Sequence, residues 1–276
     1  MQPVGVDAWE RRYRREYPGK RWATEYDCTH ATRATTRAAW VASALRGDSR
    51  GHLRGAEVGP CGMPTPLPGG ARAVYVDFTT DRRAYENECF RGRRIPVPTI
   101  ADDAQRLHTV EDKKFDFLIG NHVLEHVPDF LLAIENWVRV VNPGGVVLFA
   151  VPDVCDANYR TGERLRLLTR PRHFFHEYAR RRYADHRKEA ALSMWGVGKP
   201  LDARDFSPSE LQRIQATNLT ARPKAAHLHT WTPASMCRVV RAFAPVGKYG
   251  VVECYSAART PFSMQELRVT LQRRGD

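Results

Sequence analysis

Two histidines with a glutamate between them are the residues best suited to move a proton. His122 and His126 are four residues apart, and Glu125 lies between them. Histidine titrates near neutral pH, so either ring is suited to take a proton from a hydroxyl group. The same spacing on a helical turn is that of a metal-binding pair. Because no spacing fixes a third ligand, we predict that His126 is a general base or a pocket residue, and we predict no metal site.

A second group of candidate residues follows in the C-terminal half. The segment His227-Leu228-His229-Thr230-Trp231 alternates as a strand does, which places His227, His229 and Trp231 on one face. These three side chains either line the rim of a substrate pocket or form an ordered lead-in to the next helix. Asp153 follows an apolar strand, where it either binds a substrate hydroxyl or a divalent ion, or caps the next turn. Further upstream, His173 and His176 flank two phenylalanines, a pattern that fits an aromatic lid and an amphipathic helix equally well.

A third pattern is typical of nucleotide binding. Glycines follow Glu57, and Asp77 comes 20 residues after it, at the end of an apolar run. A nucleotide-binding unit needs glycine where the backbone approaches the ligand and an acid about 20 residues later for the ribose hydroxyls. Prolines between residues 60 and 68 leave no room for the usual first helix, so a pyrophosphate cradle is not expected. The pair Asp102-Asp103 either accepts a hydrogen bond from an adenine amino group or caps the next turn.

The elements that position these residues are predicted by hydrophobic periodicity. Two apolar runs, Phe115–Ile119 and Val146–Val151, have the length of buried strands. Between them, Asp129–Val141 repeats apolar residues at helical spacing, and Asn142-Pro143-Gly144-Gly145 ends the helix. This order predicts a right-handed βαβ crossover with both sheet faces covered. Ligands in such sheets bind at the carboxyl ends of the strands, which here are Gly120-Asn121-His122 and Pro152-Asp153.

Other segments complete the expected domain. Residues 1–50 are predicted to be a helical extension with a linker at residues 47–51, and residues 51–276 a single domain. Residues 154–226 are a long insertion rich in arginine, histidine and aromatic residues. Thr232-Pro233 then predicts a helix start, with the helix over Ala234–Phe243. Strands are expected near Ile95–Ile100, at Val251–Tyr255 and at Leu267–Leu271.

The combination EVGPCG, YVD, ADD and FDFLIGNHVLEHVPD…VNPGGVVLFAVPD resembles the class I S-adenosylmethionine-dependent methyltransferases, in the branch with an NHVLEH-type motif after the fourth strand. The resemblance covers residues 55–153 well and residues 227–271 more loosely. It implies an α/β fold with a Rossmann-like seven-stranded sheet, mostly parallel with an antiparallel last strand, and helices on both faces. It also implies that the insertion after the fifth strand forms a helical lid carrying substrate-recognition elements.

The resemblance assigns roles by position. Glu57, Gly59 and Gly62 would line the methionine part of S-adenosylmethionine, and Pro60 is counted with these cofactor-binding residues. Asp77 would bind the ribose, Asp102 or Asp103 the adenine, and Asn121 with His122 would close the sulfonium side. His122 and His126 are the predicted catalytic residues. A further glycine that the family usually has near Pro64 is missing here.

Composition limits the class of protein and its partners. No apolar run approaches the roughly 18 residues of a membrane span, and the charged N-terminus lacks the apolar block of a signal peptide, so we expect a cytoplasmic protein. Six cysteines without a C-x-x-C pair suggest reduced thiols. The net charge of +12 is concentrated in Glu10–Arg21, at +4, and Arg160–Glu189, at +6. These windows suit phosphate-bearing partners or are simply a solvated surface.

The sequence therefore predicts an S-adenosylmethionine-dependent methyltransferase that acts on a hydroxyl of a sugar, a glycan or a small metabolite. One alternative is an RNA-binding protein or nucleic-acid methyltransferase, suggested by the basic windows with their tyrosines. The Pro-Pro-aromatic motif that would accompany base methylation is absent from the sequence. A second alternative is a catalytically inactive protein with the same fold, which the proline-rich first loop would allow.

Overall fold

The computed structural model describes residues 32–45, 52–89, 96–156, 169, 171–180, 227–258 and 265–275. Most of the predicted N-terminal extension, its linker and most of the insertion lie outside these residues, as do most of both basic windows. The proposed domain boundaries therefore stay predictions. Within the described residues, no helix is both long and apolar enough to cross a membrane.

The described residues form one eight-stranded sheet, with strands numbered here in chain order: β1 (Thr32–Arg33), β2 (Arg54–Val58), β3 (Arg72–Asp77), β4 (Ile100–Ala101), β5 (Phe115–Asn121), β6 (Val141–Pro152), β7 (Tyr249–Ala257) and β8 (Glu266–Arg273). Their order is β1-β7-β8-β6-β5-β2-β3-β4. The strand β8 is antiparallel to both of its neighbours, and the other pairings are parallel. The predicted mostly parallel sheet with an antiparallel last strand is confirmed. The two-residue strand β1 adds an eighth strand at one edge.

Five α-helices are described: α1 (Arg37–Leu45), α2 (Arg82–Cys89), α3 (Phe130–Val140), α4 (Pro171–Arg180) and α5 (Pro233–Phe243). The helices α3 and α5 were predicted to within two residues of their ends. The Asp129 side chain caps α3 by accepting a hydrogen bond from the Leu132 amide. A short 3₁₀ turn, Leu124–His126, connects β5 to α3.

The two sheet faces have separate cores, because the strands are apolar on both sides. One face packs against α3, α4 and α5, with Trp137 and Phe243 among its fully buried side chains. The other face packs against α1 through Trp40 and Val41. Helices on both faces were predicted, and the described residues confirm them. With both faces covered, the carboxyl ends of the parallel strands are the open side of the fold.

The connection from β2 to β3 has no helix. Residues 59–71 run as turns and extended backbone, as the prolines predict. Leu67 and Ala71 from this loop pack on the same face as α1. The loop therefore covers part of the sheet that a crossover helix would otherwise cover.

The prediction of reduced thiols is wrong. Disulfides join Cys61 to Cys89 and Cys237 to Cys254, with Cα–Cα distances of 5.2 Å and 5.7 Å. The sequence pattern missed them because each pair is brought together by folding and not by close spacing. Cys237 lies on α5 and Cys254 on the strand β7 that follows it, while Cys61 and Cys89 link the proline-rich loop to the end of α2.

Candidate active site

The carboxyl ends of β2, β3, β4 and β5 form one rim of the sheet, and the predicted cofactor-binding residues lie along it. The first is Gly59, directly after β2, whose amide donates to the Val76 carbonyl of β3 at 2.9 Å. Its φ of +61° is the left-handed conformation that glycine adopts without strain. A Cβ at this position would lie 2.7 Å from Val123 Cγ2. Backbone conformation and close packing thus both require glycine here.

A buried hydrogen-bond chain connects the first loop to the end of β5. The Asn121 amide nitrogen donates to Thr65 Oγ1 at 2.7 Å, and the Thr65 hydroxyl donates to Glu57 at 2.7 Å. The Thr65 backbone amide also donates to both oxygens of Glu57. Burial raises the pKa of Glu57, although the hydrogen bonds from Thr65 oppose this shift. Glu57 therefore holds the proline-rich loop against the rim.

The oxygen of the Asn121 side-chain amide has a different environment from its nitrogen. Its Oδ1 atom is buried and accepts no hydrogen bond from the described part of the chain. A buried polar atom without a partner is costly unless a ligand or water supplies one. The fixed orientation of the amide thus leaves an acceptor at the end of β5, where the resemblance places the sulfonium side of the cofactor.

Asp77 ends β3 and is half-buried, with Oδ1 accepting from the Phe78 amide at 2.8 Å. Tyr85 of α2 is fully buried beside it. Burial raises the pKa of Tyr85, and the neighbouring charge and hydrogen bond of Asp77 raise it further. The Tyr85 hydroxyl also reaches the Cys61 carbonyl at 3.5 Å. The residue predicted to bind a ribose is therefore positioned by α2 and the disulfide-linked loop.

The two acids after β4 have different environments. Asp102 is buried, and its carboxylate accepts from the Thr109 hydroxyl at 2.6 Å and from the backbone amides of residues 103, 108 and 109. Burial favours its neutral form, but these hydrogen bonds prevail and lower its pKa. Asp103 is exposed, and its carboxylate accepts a hydrogen bond from the Gln105 amide at 2.7 Å. Of the two predicted adenine-binding residues, Asp103 has the more accessible carboxylate, while Asp102 organises the loop.

His122 lies between two buried carboxylates. Its Nδ1 is 3.3 Å from Glu125 Oε1, and its Nε2 is 3.2 Å from Glu266 Oε2. Glu266, on β8, also binds Arg37 at 2.6 Å and Arg268 at 2.7 Å. These five side chains form a buried network in which positive and negative groups alternate. Its members come from α1, the segment after β5 with its 3₁₀ turn, and β8.

This network fixes the charge of His122. Burial alone would lower its pKa, but the contacts with Glu125 and Glu266 prevail and raise the pKa to about 9. Burial likewise favours neutral Glu125, yet the contact with His122 prevails and holds the Glu125 pKa at about 2. The ring is therefore an imidazolium at neutral pH. A charged His122 is suited to orienting neighbouring groups and poorly suited to accepting a proton.

His126 has a neighbouring histidine. It closes the 3₁₀ turn after β5, and its ring contacts the His227 ring edge to face, with centroids 4.7 Å apart. The Leu228 amide donates to the Glu125 carbonyl at 2.6 Å, which fixes the His227 segment against this turn. One ligand atom each from Glu125, His126 and His227 lies within 4.8 Å of the others. Both rings are partly accessible, so His126 retains the properties of a candidate base.

The other predicted substrate-binding residues are more deeply buried. Asp153 accepts hydrogen bonds from Ser256, Gln265 and the Cys155 amide, an arrangement that favours the turn-capping role. Trp231 is fully buried, and its ring stacks on Phe174 at 5.6 Å with an interplanar angle of 10°. His229 is buried next to Trp231. These positions favour structural roles, and substrate binding by these residues stays a prediction.

Sequence reasoning missed several residues that organise this site. Thr65, Arg37 and Tyr85 come from segments with no distinguishing pattern, and only the folded chain brings them to the rim. Glu266 and Arg268 did carry a signal: two opposite charges at alternating positions in an apolar strand. Such residues face one side of the sheet and, when buried, need charged partners.

A model of a known protein family matches the part of the chain that contains the rim residues. Residues 57–149 match a family model described as a methyltransferase domain. The matched stretch begins at Glu57 and ends in β6, so it includes Gly59, Asp77, Asn121 and His126. A search of curated proteins gave no match.

Solved structures similar to this chain include three methyltransferases. One is the CurJ carbon methyltransferase (13% identity, TM-score 0.42), of which this chain covers 51%, with 84% of this chain covered. Another is a SAM-dependent methyltransferase from Methanosarcina mazei (12% identity, 84% of this chain and 97% of that one, TM-score 0.44). The third is the 1,6-didemethyltoxoflavin-N1-methyltransferase of Burkholderia thailandensis (13% identity, 87% and 77%, TM-score 0.45). The chain thus spans about half the length of the CurJ structure and most of the other two.

The strand order and the matched family model lead to the same assignment. The sheet without β1 has seven strands, and its last strand is inserted antiparallel between β6 and β7. The family match includes the carboxyl ends of the four strands that form the rim. Residues 57–149 thus match a methyltransferase domain, and the sheet around them has the mostly parallel order with an antiparallel last strand that the resemblance implies.

Proposed function

We propose that the chain is an S-adenosylmethionine-dependent methyltransferase that methylates a hydroxyl oxygen of a sugar, a glycan or a small metabolite. The observation that carries the proposal is the arrangement of Gly59, Asp77 and Asn121 along one rim, inside the stretch matched by the methyltransferase family. A half-buried carboxylate, a glycine with positive φ and an unpaired buried amide oxygen fit the ribose and amino-acid parts of this cofactor. When bound, S-adenosylmethionine supplies an electrophilic methyl group.

Each rim residue has a defined part in holding that cofactor. Asp77 accepts hydrogen bonds from the ribose hydroxyls, and Asp103 accepts one from the adenine amino group. Asn121 Oδ1 would accept a hydrogen bond on the sulfonium side, where the resemblance places this residue. Gly59 is required at the rim by its positive φ and by the close packing of Val123, and it would line the methionine part of the cofactor. Positioning the acceptor in line with the methyl group accounts for much of the expected rate enhancement.

His126 is the group we assign to the acceptor hydroxyl. It lies five residues beyond Asn121 and is held by the 3₁₀ turn and the His227 segment. Its imidazole would take the proton from the acceptor hydroxyl, and a base in this role contributes typically 10²–10⁴-fold to rate. His122 is unsuited to this task because its pKa is about 9.

The experiment combines binding with turnover. Calorimetry with S-adenosylmethionine and S-adenosylhomocysteine is carried out on the wild type, Asp77→Ala and Glu111→Ala. Asp77→Ala should weaken binding by about 1–3 kcal/mol, because hydrogen bonds to a charged acceptor are lost. Glu111, an exposed acid paired with Lys114, is the matched control and should not change binding. A folded wild-type protein that binds neither compound would exclude the proposed enzyme.

Turnover is followed as S-adenosylhomocysteine formation with a panel of sugars, phosphorylated sugars and small hydroxylated metabolites. His126→Ala should lower the rate by about 10²-fold or more while leaving cofactor affinity unchanged. A His126→Ala variant with full activity would remove this residue from the mechanism. Methylation of amines or carbon acids in place of hydroxyls would retain the cofactor assignment and reject the acceptor class.

A further inference from the structure

A second cluster of titratable side chains lies outside the proposed methyl-transfer site. His173 and Glu177 are one turn apart on α4, and His229 comes from the extended segment that precedes α5. His173 Nε2 is 3.2 Å from Glu177 Oε1 and 3.3 Å from His229 Nε2. His229 Nε2 is 3.4 Å from Glu177 Oε2. The two ring nitrogens and the carboxylate therefore converge on one point.

Packing holds this cluster in place. The His229 side chain is 0% exposed, that of Glu177 is 2% exposed and that of His173 is 24% exposed. Phe174 packs against the His229 ring with centroids 4.9 Å apart and stacks on Trp231. Aromatic side chains thus pack around the three polar groups, and of these three His173 is the one in contact with solvent.

The separations are those of ligands around a small metal ion. A tetrahedral ion with bonds of about 2.0–2.1 Å separates its ligand atoms by about 3.3–3.4 Å. The separations of 3.2, 3.3 and 3.4 Å are close to this value, with His173 next to Oε1 and His229 next to Oε2 of Glu177. One ligand atom from each of the three residues lies within 4.8 Å of the other two. Two facing imidazole nitrogens can share at most one proton, whereas a cation between them is bound by both lone pairs and by the carboxylate charge.

We propose that His173, Glu177 and His229 bind a divalent transition-metal ion, with Zn²⁺ the best fit to two imidazoles and a carboxylate. Three protein ligands would leave a fourth position for water or another oxygen ligand, and the partly exposed His173 side chain gives the cluster contact with solvent. Octahedral all-oxygen ions such as Mg²⁺ are disfavoured because two of the three ligands are nitrogen.

The position of the cluster indicates what the ion does for the fold. The helix α4 precedes residues 181–226 in the chain and His229 follows them, so the ion joins both ends of this segment to one point. His227, two residues before His229, contacts His126. A metal bound at His229 therefore also fixes the segment that positions His227 beside the proposed base.

Metal binding is tested directly on untagged full-length protein that has been stripped with a chelator. Zn²⁺ is titrated against a chromophoric competitor, bound metal is counted by mass spectrometry, and Co²⁺ is added to record its visible spectrum. The wild type should bind Zn²⁺ at this site, and Co²⁺ should give the intense absorption of a tetrahedral complex. Loss of a direct ligand in Glu177→Gln or His173→Ala should weaken binding by more than about 100-fold, above the usual effect of outer-shell partners.

Three variants make the result specific. His173→Cys replaces one ligand by another and should retain Zn²⁺, which separates ligand loss from damage to the fold. His52→Ala removes an exposed histidine and should bind as the wild type does. His126→Ala tests the neighbouring cluster Glu125–His126–His227. The proposal is overturned if the wild type binds neither ion, if His173→Ala and Glu177→Gln bind normally, or if His126→Ala alone loses the metal.

Discussion

Asp102 and Asp103 are adjacent in sequence but differ in environment, which leads to opposite expectations for their variants. Asp103→Ala removes an exposed carboxylate and should weaken S-adenosylhomocysteine binding by about 1–2 kcal/mol, with little effect on stability. Asp102→Ala leaves several part-buried donors without their acceptor and should lower the free energy of unfolding by about 1–3 kcal/mol. Calorimetry and urea unfolding distinguish the two effects. The reverse pattern would assign adenine binding to Asp102.

The buried charge of His122 predicts a pH dependence of stability. Its pKa rises from 6.5 to about 9 on folding, so its contribution is fully present below pH 6.5 and is lost as the pH rises through 9. The free energy of unfolding should therefore fall between these pH values, by an amount on the order of 3 kcal/mol. Urea unfolding at a series of pH values measures this change.

The variant His122→Gln identifies the source of that change. It should flatten the pH dependence between 6.5 and 9, because the titrating group is gone. Glu125 affects stability at acidic pH. Its pKa falls from 4.5 to about 2 on folding, so its contribution to the free energy of unfolding is present above pH 4.5 and is lost as the pH falls toward 2. An unchanged alkaline slope in His122→Gln would assign the titration to another residue.

For single residues, the sequence predicted their position at the rim well. It predicted their roles at the rim less well. Asp77 and Asn121 are found at strand ends because strand length and the following residue types specify those ends. The sequence did not indicate that His122 is held as a cation, since its partner Glu266 lies 144 residues away. Nor did it separate Asp102 from Asp103, because that difference arises from how the following loop folds.

Among the helices, α5 has the clearest start signal. Thr232 accepts from the Ser235 amide, the Ser235 hydroxyl accepts from the Thr232 amide, and Pro233 occupies the first turn. Because both side chains are buried, Thr232→Ala should lower the free energy of unfolding by about 1–2 kcal/mol. Thr80→Ala, at an exposed position, should change it by less than about 0.5 kcal/mol. Equal effects in urea unfolding would mean that the cap is not formed in solution.

The elements could be predicted where local chemistry determines them. Thr232-Pro233 predicted the start of α5, and the prolines between β2 and β3 predicted a connection without a helix. The strand β1 could not be predicted, because two residues carry no periodicity and are specified only by pairing with β7. The cluster of His173, Glu177 and His229 could not be predicted either. His173 and Glu177 alone fit an ordinary amphipathic helix, and His229 is brought beside them only by folding.

Over the whole molecule, the disulfide between Cys237 and Cys254 links α5 to β7, across 17 residues of chain. Closing a loop of this length restricts the unfolded chain, and the chain-entropy estimate is about 3 kcal/mol. The double variant Cys237→Ala/Cys254→Ala should therefore unfold at lower urea concentration by a corresponding amount. Thiol titration of the denatured, unreduced wild type is the control, because free thiols from these two residues would contradict the pairing.

The sheet order could be predicted from sequence because the βαβ unit and the family resemblance constrain the topology together. The charge pairing between distant residues could not be predicted from the sequence, because it depends on α1, β5 and β8 meeting at one place. Long-range electrostatic contacts have no periodic signature, whereas strands and helices do. For this reason the scaffold was easier to predict than the electrostatics of its rim.

Glu266 on β8 provides one of the two carboxylates that pair with His122 at the end of β5, and Arg268 on the same strand pairs with Glu266. Exchanging this strand for a neutral apolar one, as in a chimera between homologous enzymes, would preserve backbone pairing yet leave the imidazolium with a single carboxylate. Such a hybrid should be less stable at neutral pH although its backbone pairing is kept, so Glu266 and Arg268 should be retained together with His122.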